Sequence, residues 1–309
     1  MLLPSLVGNE RLKDAFSGPQ AVESGCLLLS GPRGSGKLTA AFDIAMGLLC
    51  EGSPAPCGRC GPCVRMKAGS HPDYELFNPN GEEIKVDAVR GLRARSFIRP
   101  SEAERKVFVI RAADKMNVQS QNALLKVLED PLSTVFILLC ENSDSLLPTV
   151  RSRALHYRMQ PLPQAALLKQ LTQRFPDASP AQLAQAAEDC GGYLGPAIDA
   201  LAGDEGEASA LARDFIHALS QGELAVMGCC MELSRLPRDG YAAFCDELCR
   251  RLSHAVQHGA PSPDRYLSLY EYVETQKAKT AYNASVTALS GALAAYCGEH
   301  LHILAGRQP

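Results

Sequence analysis

A glycine-rich loop set between an apolar strand and an amphipathic helix limits what this chain can become more than any other feature. The run Cys26–Ser30, CLLLS, is short and apolar, and Gly31-Pro32-Arg33-Gly34-Ser35-Gly36-Lys37 follows it directly. From residue 38 to 50, apolar side chains recur at helical spacing (Ala41, Ile44, Ala45, Leu48, Leu49), so the order is strand, loop, helix. In that context G-x-x-x-x-G-K reads as a phosphate loop. Gly31, Gly34 and Gly36 let backbone N–H groups face phosphate oxygens, and Lys37 adds charge. Further strands are expected at 74–77, 107–110 and 135–140, with a helix over 120–130 stopped by Pro131. Strands alternating with helices imply a parallel sheet covered on both faces.

The loop lacks the parts that hold a metal. The residue after Lys37 should carry a hydroxyl for Mg²⁺ but is Leu38, and Thr39 lies about 100° further around the helix. After the strand at 107–110, where an acidic pair would stand, the chain reads Arg111-Ala112-Ala113. Phosphoryl transfer relies on positioning and on Mg²⁺ to neutralise charge, so hydrolysis is not expected here. Two readings of the loop stay open: a vestigial loop kept for its packing, or one that holds ATP or ADP without hydrolysing it.

Beyond residue 161 the character changes. Ala, Leu and Gln dominate, strand-like runs vanish, and signals such as Phe175-Pro176-Asp177, Gly191-Gly192 and Pro261-Ser262-Pro263 separate helical segments. The expected domains are an α/β domain over 1–160, a small helical domain over 161–205 and an all-α domain over 206–309. At roughly 150 residues per domain, 309 residues hold two or three cores. With 46% hydrophobic and 21% charged residues the composition is that of a globular protein, and no apolar run approaches the ~18 residues of a membrane span. The start, MLLPSLVGNERLKD, lacks a basic stretch followed by an apolar core, so no secretory signal is read and the cytoplasm is the expected location.

Of twelve cysteines, Cys50, Cys57, Cys60 and Cys63 fall close together, and the other eight are scattered through apolar stretches. In a reducing compartment the cluster reads as metal ligands and the scattered thiols as small buried hydrophobes. Gly58 and Gly61 allow tight turns, and four soft ligands in a short loop favour tetrahedral, structural Zn²⁺. An iron–sulfur cluster and unliganded thiols are the alternatives. The module would be an insert at 50–63.

Taken together these pieces resemble the AAA+ clamp-loader family of bacterial DNA polymerase III, in its delta-prime branch. The resemblance rests on Gly8-Asn9-Glu10, the phosphate loop, the cysteine module, His71-Pro72-Asp73 and the stretch from Ile84 to Arg90 (IKVDAVR). It continues through Met116-Asn117, Asn122 to Pro131 (NALLKVLEDP), and Leu147-Pro148-Thr149-Val150-Arg151-Ser152-Arg153. Leu38, Arg111 and Pro196 at the position of a motor's sensor arginine favour this branch over the ATP-hydrolysing gamma/tau subunits. The resemblance implies a RecA-like AAA+ domain with a parallel sheet, a helical lid and a C-terminal collar that joins a hetero-pentameric ring. It further implies gamma/tau and delta subunits as ring partners, with the sliding clamp and primer–template DNA reached through the complex. Arg153 then takes the place of an arginine finger acting in trans. Alanine at 154 replaces the family's cysteine and leaves the arginine intact.

The net charge is −3, so any nucleic-acid contact must come from a local patch. Between Lys85 and Lys115 nine basic residues stand against four acidic ones. Such a stripe suits DNA phosphates, a solvated helix face or an acidic neighbour. An active gamma/tau-like ATPase and a zinc and phosphate-loop regulator that binds nucleic acid are the rival functions. The seven histidines form no Ser/His/Asp or Cys/His pattern.

Overall fold

The computed structural model describes residues 3–17, 25–128, 133–202, 206–257, 262–280 and 284–300. Its first half alternates helices and strands: α1 (Glu10–Ser17), β1 (Cys26–Ser30), α2 (Lys37–Leu48), α3 (Gly61–Lys67), β2 (Tyr74–Phe77) and α4 (Val86–Ser96). There follow β3 (Lys106–Ile110), α5 (Val118–Leu128), β4 (Thr134–Cys140), α6 (Pro148–Arg151) and β5 (Leu155–Arg158). The five strands form one sheet in the order β2-β3-β4-β1-β5, with every neighbouring pair parallel.

Four of the strands coincide with the sequence expectation to within a residue at their ends. The fifth, β5, was not foreseen. Its residues Leu155, His156 and Arg158 are exposed, so it lacks the apolar signature of a buried strand and owes its conformation to pairing with β1. The helix expected over 120–130 is α5; Pro131 lies outside the described residues.

Alternation along the central strands assigns the two faces. Leu27, Leu29, Val109, Ile137 and Leu139 pack with Leu12 and Phe16 of α1 and Ala41, Ile44 and Ala45 of α2. Leu28, Phe108, Ile110, Phe136 and Leu138 pack instead with Val89 and Leu92 of α4 and Leu124 and Val127 of α5. Both faces are dry, which explains why the central strands read as continuous apolar runs.

The second half is helical: α7 (Gln164–Arg174), α8 (Pro180–Asp189), α9 (Leu194–Ala202), α10 (Glu207–Gln221), α11 (Glu223–Leu233), α12 (Arg238–Gln257), α13 (Pro263–Thr280) and α14 (Val286–His300). Ser179 begins α8 with a reciprocal capping box to Gln182. Around α12 a core forms from Phe215, Tyr241, Phe244, Leu248, Leu252, Val273 and Leu293. Glu247 sits between Arg250 and Arg251, an acid and two cations that tie α12 to Ser209 of α10.

Contacts divide the chain into two compact units, residues 1–166 with Tyr193–Gly195, and residues 167–192 with the chain from Pro196 on. Residues 203–205, where the sequence suggests a boundary inside the helical half, lie outside the described residues. No described helix is long and apolar enough to cross a membrane.

Candidate functional site

The phosphate loop lies at the C-terminal end of β1, an inner strand between β4 and β5, which is where parallel α/β sheets bind ligands. Gly34 and Gly36 have φ of 73° and 89°, a region costly for residues with a Cβ, and Gly36 caps α2. Lys37 Nζ donates to the carbonyls of Gly31 and Pro32 and to Ser35 Oγ. Burial lowers its pKa from the ordinary lysine value. The loop thus holds the geometry of a phosphate cradle, with its lysine engaged by the loop's own oxygens. Tyr193–Gly195 belong to the same unit: Gly195 N donates to Gly34 O at 3.1 Å. A Cβ on Gly195 would stand 2.4 Å from Gly34 Cα, so only glycine fits against the loop.

Leu38 and Thr39 are both exposed. Arg111, the first residue after β3, turns its guanidinium to the carbonyl of Pro79. Asp114 spends its carboxylate on the N–H groups of Glu141 and Asn142 at 2.9 and 3.2 Å, which fastens the end of β4.

The four clustered thiols do converge. Their sulfurs all lie within 4.8 Å of one another, with Cys50 Sγ 3.8 Å from Cys60 Sγ. Four thiolates around zinc at ~2.3 Å would stand about 3.8 Å apart, so the group fits a tetrahedral ion. Backbone N–H groups already point at the sulfurs: those of Gly52 and Cys57 at Cys50 Sγ, 3.3 and 3.2 Å, and that of Cys60 at Cys57 Sγ, 3.4 Å. Backbone N–H groups of Arg59 and Cys60 bring Cys57 down to about 6. Burial pushes Cys63 up to about 12, a penalty that a bound dication removes. Cys63 and Met66 of α3 are buried in the sheet's core, which anchors the module.

Arg153 is exposed just before β5, its guanidinium donating to Thr149 O at 3.0 Å. Arg151, its competitor in the sequence, is ion-paired to Asp144 at 2.7 Å. Of the basic stripe, Arg90 pairs with Asp87, Arg95 with Glu75, and Lys115 donates to Gly81 O, so much of its charge serves the domain itself.

Two features escaped the sequence. His156 Nε2 meets Ser30 Oγ at 2.7 Å across β5 and β1. Partial desolvation, then the cations Arg151 and Arg158, lower its pKa from the ordinary histidine value. Asp73, quoted above only as part of a motif, is buried and accepts from the N–H groups of Ser101, Glu102 and Ala103 at 2.6, 2.9 and 2.9 Å. Burial raises its pKa, but these donors outweigh it and leave the carboxyl below its usual value. The stability it contributes is therefore present above about pH 4 and is lost as the pH falls through the folded-state pKa. Asp73→Ala is expected to cost about 1–3 kcal/mol at pH 7 by leaving buried donors unpaired. Denaturant unfolding checks this: the gap from wild type should narrow below pH 4, and a gap independent of pH would sink the account.

The loop and the parallel sheet together define a P-loop α/β domain, with the thiol module inserted after α2. Residues 14–163 match the family model described as DNA polymerase III, delta subunit. The delta-prime subunit of Pseudomonas aeruginosa is 40% identical over 166 residues, covering 52% of this chain and 50% of that protein. That of Bacillus subtilis is 34% identical over 181 residues, covering 58% and 51%. The gamma/tau subunit of Mycobacterium bovis is 35% identical over 140 residues, 44% of this chain and 24% of that one. Among solved structures, a Thermotoga maritima RuvB variant is 15% identical, with a TM-score of 0.49 over 84% of this chain and 90% of that one. Over its N-terminal half, the chain is similar to the delta-prime subunits of DNA polymerase III. It spans about half the length of the curated relatives it matches.

Proposed function

We propose that this chain is a non-hydrolysing delta-prime subunit of a clamp-loader complex, assisting ATP-dependent loading of the sliding clamp onto primed DNA during replication. The observation that carries the reading is a phosphate loop with its lysine in place but with Leu38 and Arg111 where metal-holding groups would stand. Its work is then mechanical: residues 1–160 form a fixed arm in the ring, residues 161–205 a lid, and residues 206–309 a collar that holds gamma/tau and delta subunits. Zinc at the four cysteines is structural. Arg153 reaches a neighbour's ATP and neutralises charge on the transferred phosphoryl group.

The reading is tested by co-purification with delta and gamma/tau. A stable hetero-oligomer supports it; a monomer that ignores both overturns it. The chain alone is expected to show no ATP turnover above background, and Lys37→Ala to leave loading by the assembled complex mostly intact. Steady turnover by the isolated chain would favour the gamma/tau-like ATPase instead. Tight DNA binding by the monomer would favour a nucleic-acid regulator.

A further inference from the structure

β5 ends the strand order and pairs with β1, and its residues Leu155, His156 and Arg158 are exposed. A strand with no apolar face to bury has little of its own to fix its register, and a slip would carry the segment ahead of it along the sheet. One residue of β1 removes that freedom. Ser30 Oγ and His156 Nε2 share a hydrogen bond at 2.7 Å, and Ser30 O accepts from Met159 N at 2.8 Å, so β5 is held at both ends by the same residue. In the register Leu28 stands opposite His156, and the imidazole therefore reaches diagonally to the next β1 side chain on that face. Ser30 is itself buried, at the end of a strand whose Leu27, Leu28 and Leu29 are wholly enclosed.

Arg153 stands just ahead of this lock, with only Ala154 and Leu155 between it and His156. The turn that joins α6 to β5 is hydrogen-bonded throughout: Arg153 N donates to Val150 O and Ala154 N to Arg151 O, both at 3.2 Å, and Val150 is buried. A shift of β5 would thus be passed to the backbone that carries the Arg153 guanidinium. Tyr157, which alternates with His156, packs against Phe16 on the other face of the strand, with ring centroids 6.0 Å apart. Packing of β5 is supplied there, and what the exposed His156 adds is a fixed position along β1.

We propose that His156, through Ser30, is a positioning residue for Arg153. It rests on the arginine-finger reading, in which that guanidinium meets a neighbour's ATP. A finger's effect depends on where it points, and a displacement of about 1 Å can cost on the order of 10²-fold in rate. Tying β5 to the buried end of β1 places the finger relative to the most rigid part of its own domain.

DNA-stimulated ATP turnover is the readout, measured on the complex assembled from the full-length chain with delta, gamma/tau, the clamp and primer–template DNA. His156→Ala and Ser30→Ala are each expected to lower kcat toward the Arg153→Ala level and not past it, with the KM for ATP little changed, because the finger acts on the phosphoryl group in transfer. His156→Gln, whose amide nitrogen reaches about as far as Nε2, should recover most of the loss. In an Arg153→Ala background, His156→Ala should cause no further fall. Normal turnover in an assembled His156→Ala ring, a loss that adds to that of Arg153→Ala, or no recovery by His156→Gln each overturns the proposal. Failure of His156→Ala to fold or assemble makes the contact a structural tie and overturns it too. Unchanged turnover with Arg153→Ala strikes the finger reading itself; a fall there, beside a normal His156→Ala ring, strikes only this proposal.

Discussion

Stripping the metal, or replacing Cys63 by serine, is expected to disorder residues 50–67 while the sheet stays folded. Four sulfurs within 4.8 Å of one another can all serve as thiolates only when a dication offsets their charge. Structural zinc sites are worth about 10–16 kcal/mol in small peptides at neutral pH, and with zinc bound at these four sulfurs such energy is expected to order the loop. Cys63 and Met66 join the sheet core, but most of it is built by Leu27, Val109, Ile137 and their partners on α1 and α2, so the sheet is expected to persist. Metal analysis of protein purified under reducing conditions should give about one zinc per chain, as the tetrahedral fit requires. Hydrogen exchange should rise steeply at residues 50–67 in Cys63→Ser and little at β1, β3 or β4. A weaker rise is expected at Ser101–Ala103, because Arg65 ties α3 to Glu102. Iron in place of zinc, or no metal, would refute the assignment.

Arg153→Ala should lower DNA-stimulated ATP turnover by the assembled complex without altering folding or assembly. Its side chain is exposed and donates to Thr149 O just before β5, so its loss opens no cavity. An arginine finger contributes about 10³–10⁵ in rate where it acts alone. A ring with several ATP sites would show a smaller fall, with the missing turnover confined to one site. Arg151→Ala is the control: its partner is Asp144 within the same chain, and turnover should change little. Unchanged turnover in a properly assembled Arg153→Ala ring would remove the finger role.

Much of the α/β domain was legible because its signals are local. CLLLS and TVFILLC announce strands buried on both faces, and glycines at positive φ mark the loop whatever surrounds it. The cysteine spacing likewise foretold the convergence of four thiols. β5 was not legible, since LHYR carries no burial pattern of its own. Nor was the exposure of Phe97 and Ile98, because a sequence of apolar residues after a helix reads the same whether they are packed or exposed.

The sequence by itself determined that a strand feeds a lysine-bearing phosphate loop lacking its metal-holding groups, that four thiols can share one ion, and that the second half is helical. Each of these depends on residue types at short spacing, where chain geometry leaves few options. Only the tertiary structure decided that Ser30 meets His156, 126 residues on, and that Asp73 holds the N–H groups of Ser101 to Ala103. It alone decided that Phe97 and Ile98 stand out from the domain. Those outcomes follow from which strands lie side by side, and strand order is set by the packing of the whole sheet and not by any one segment.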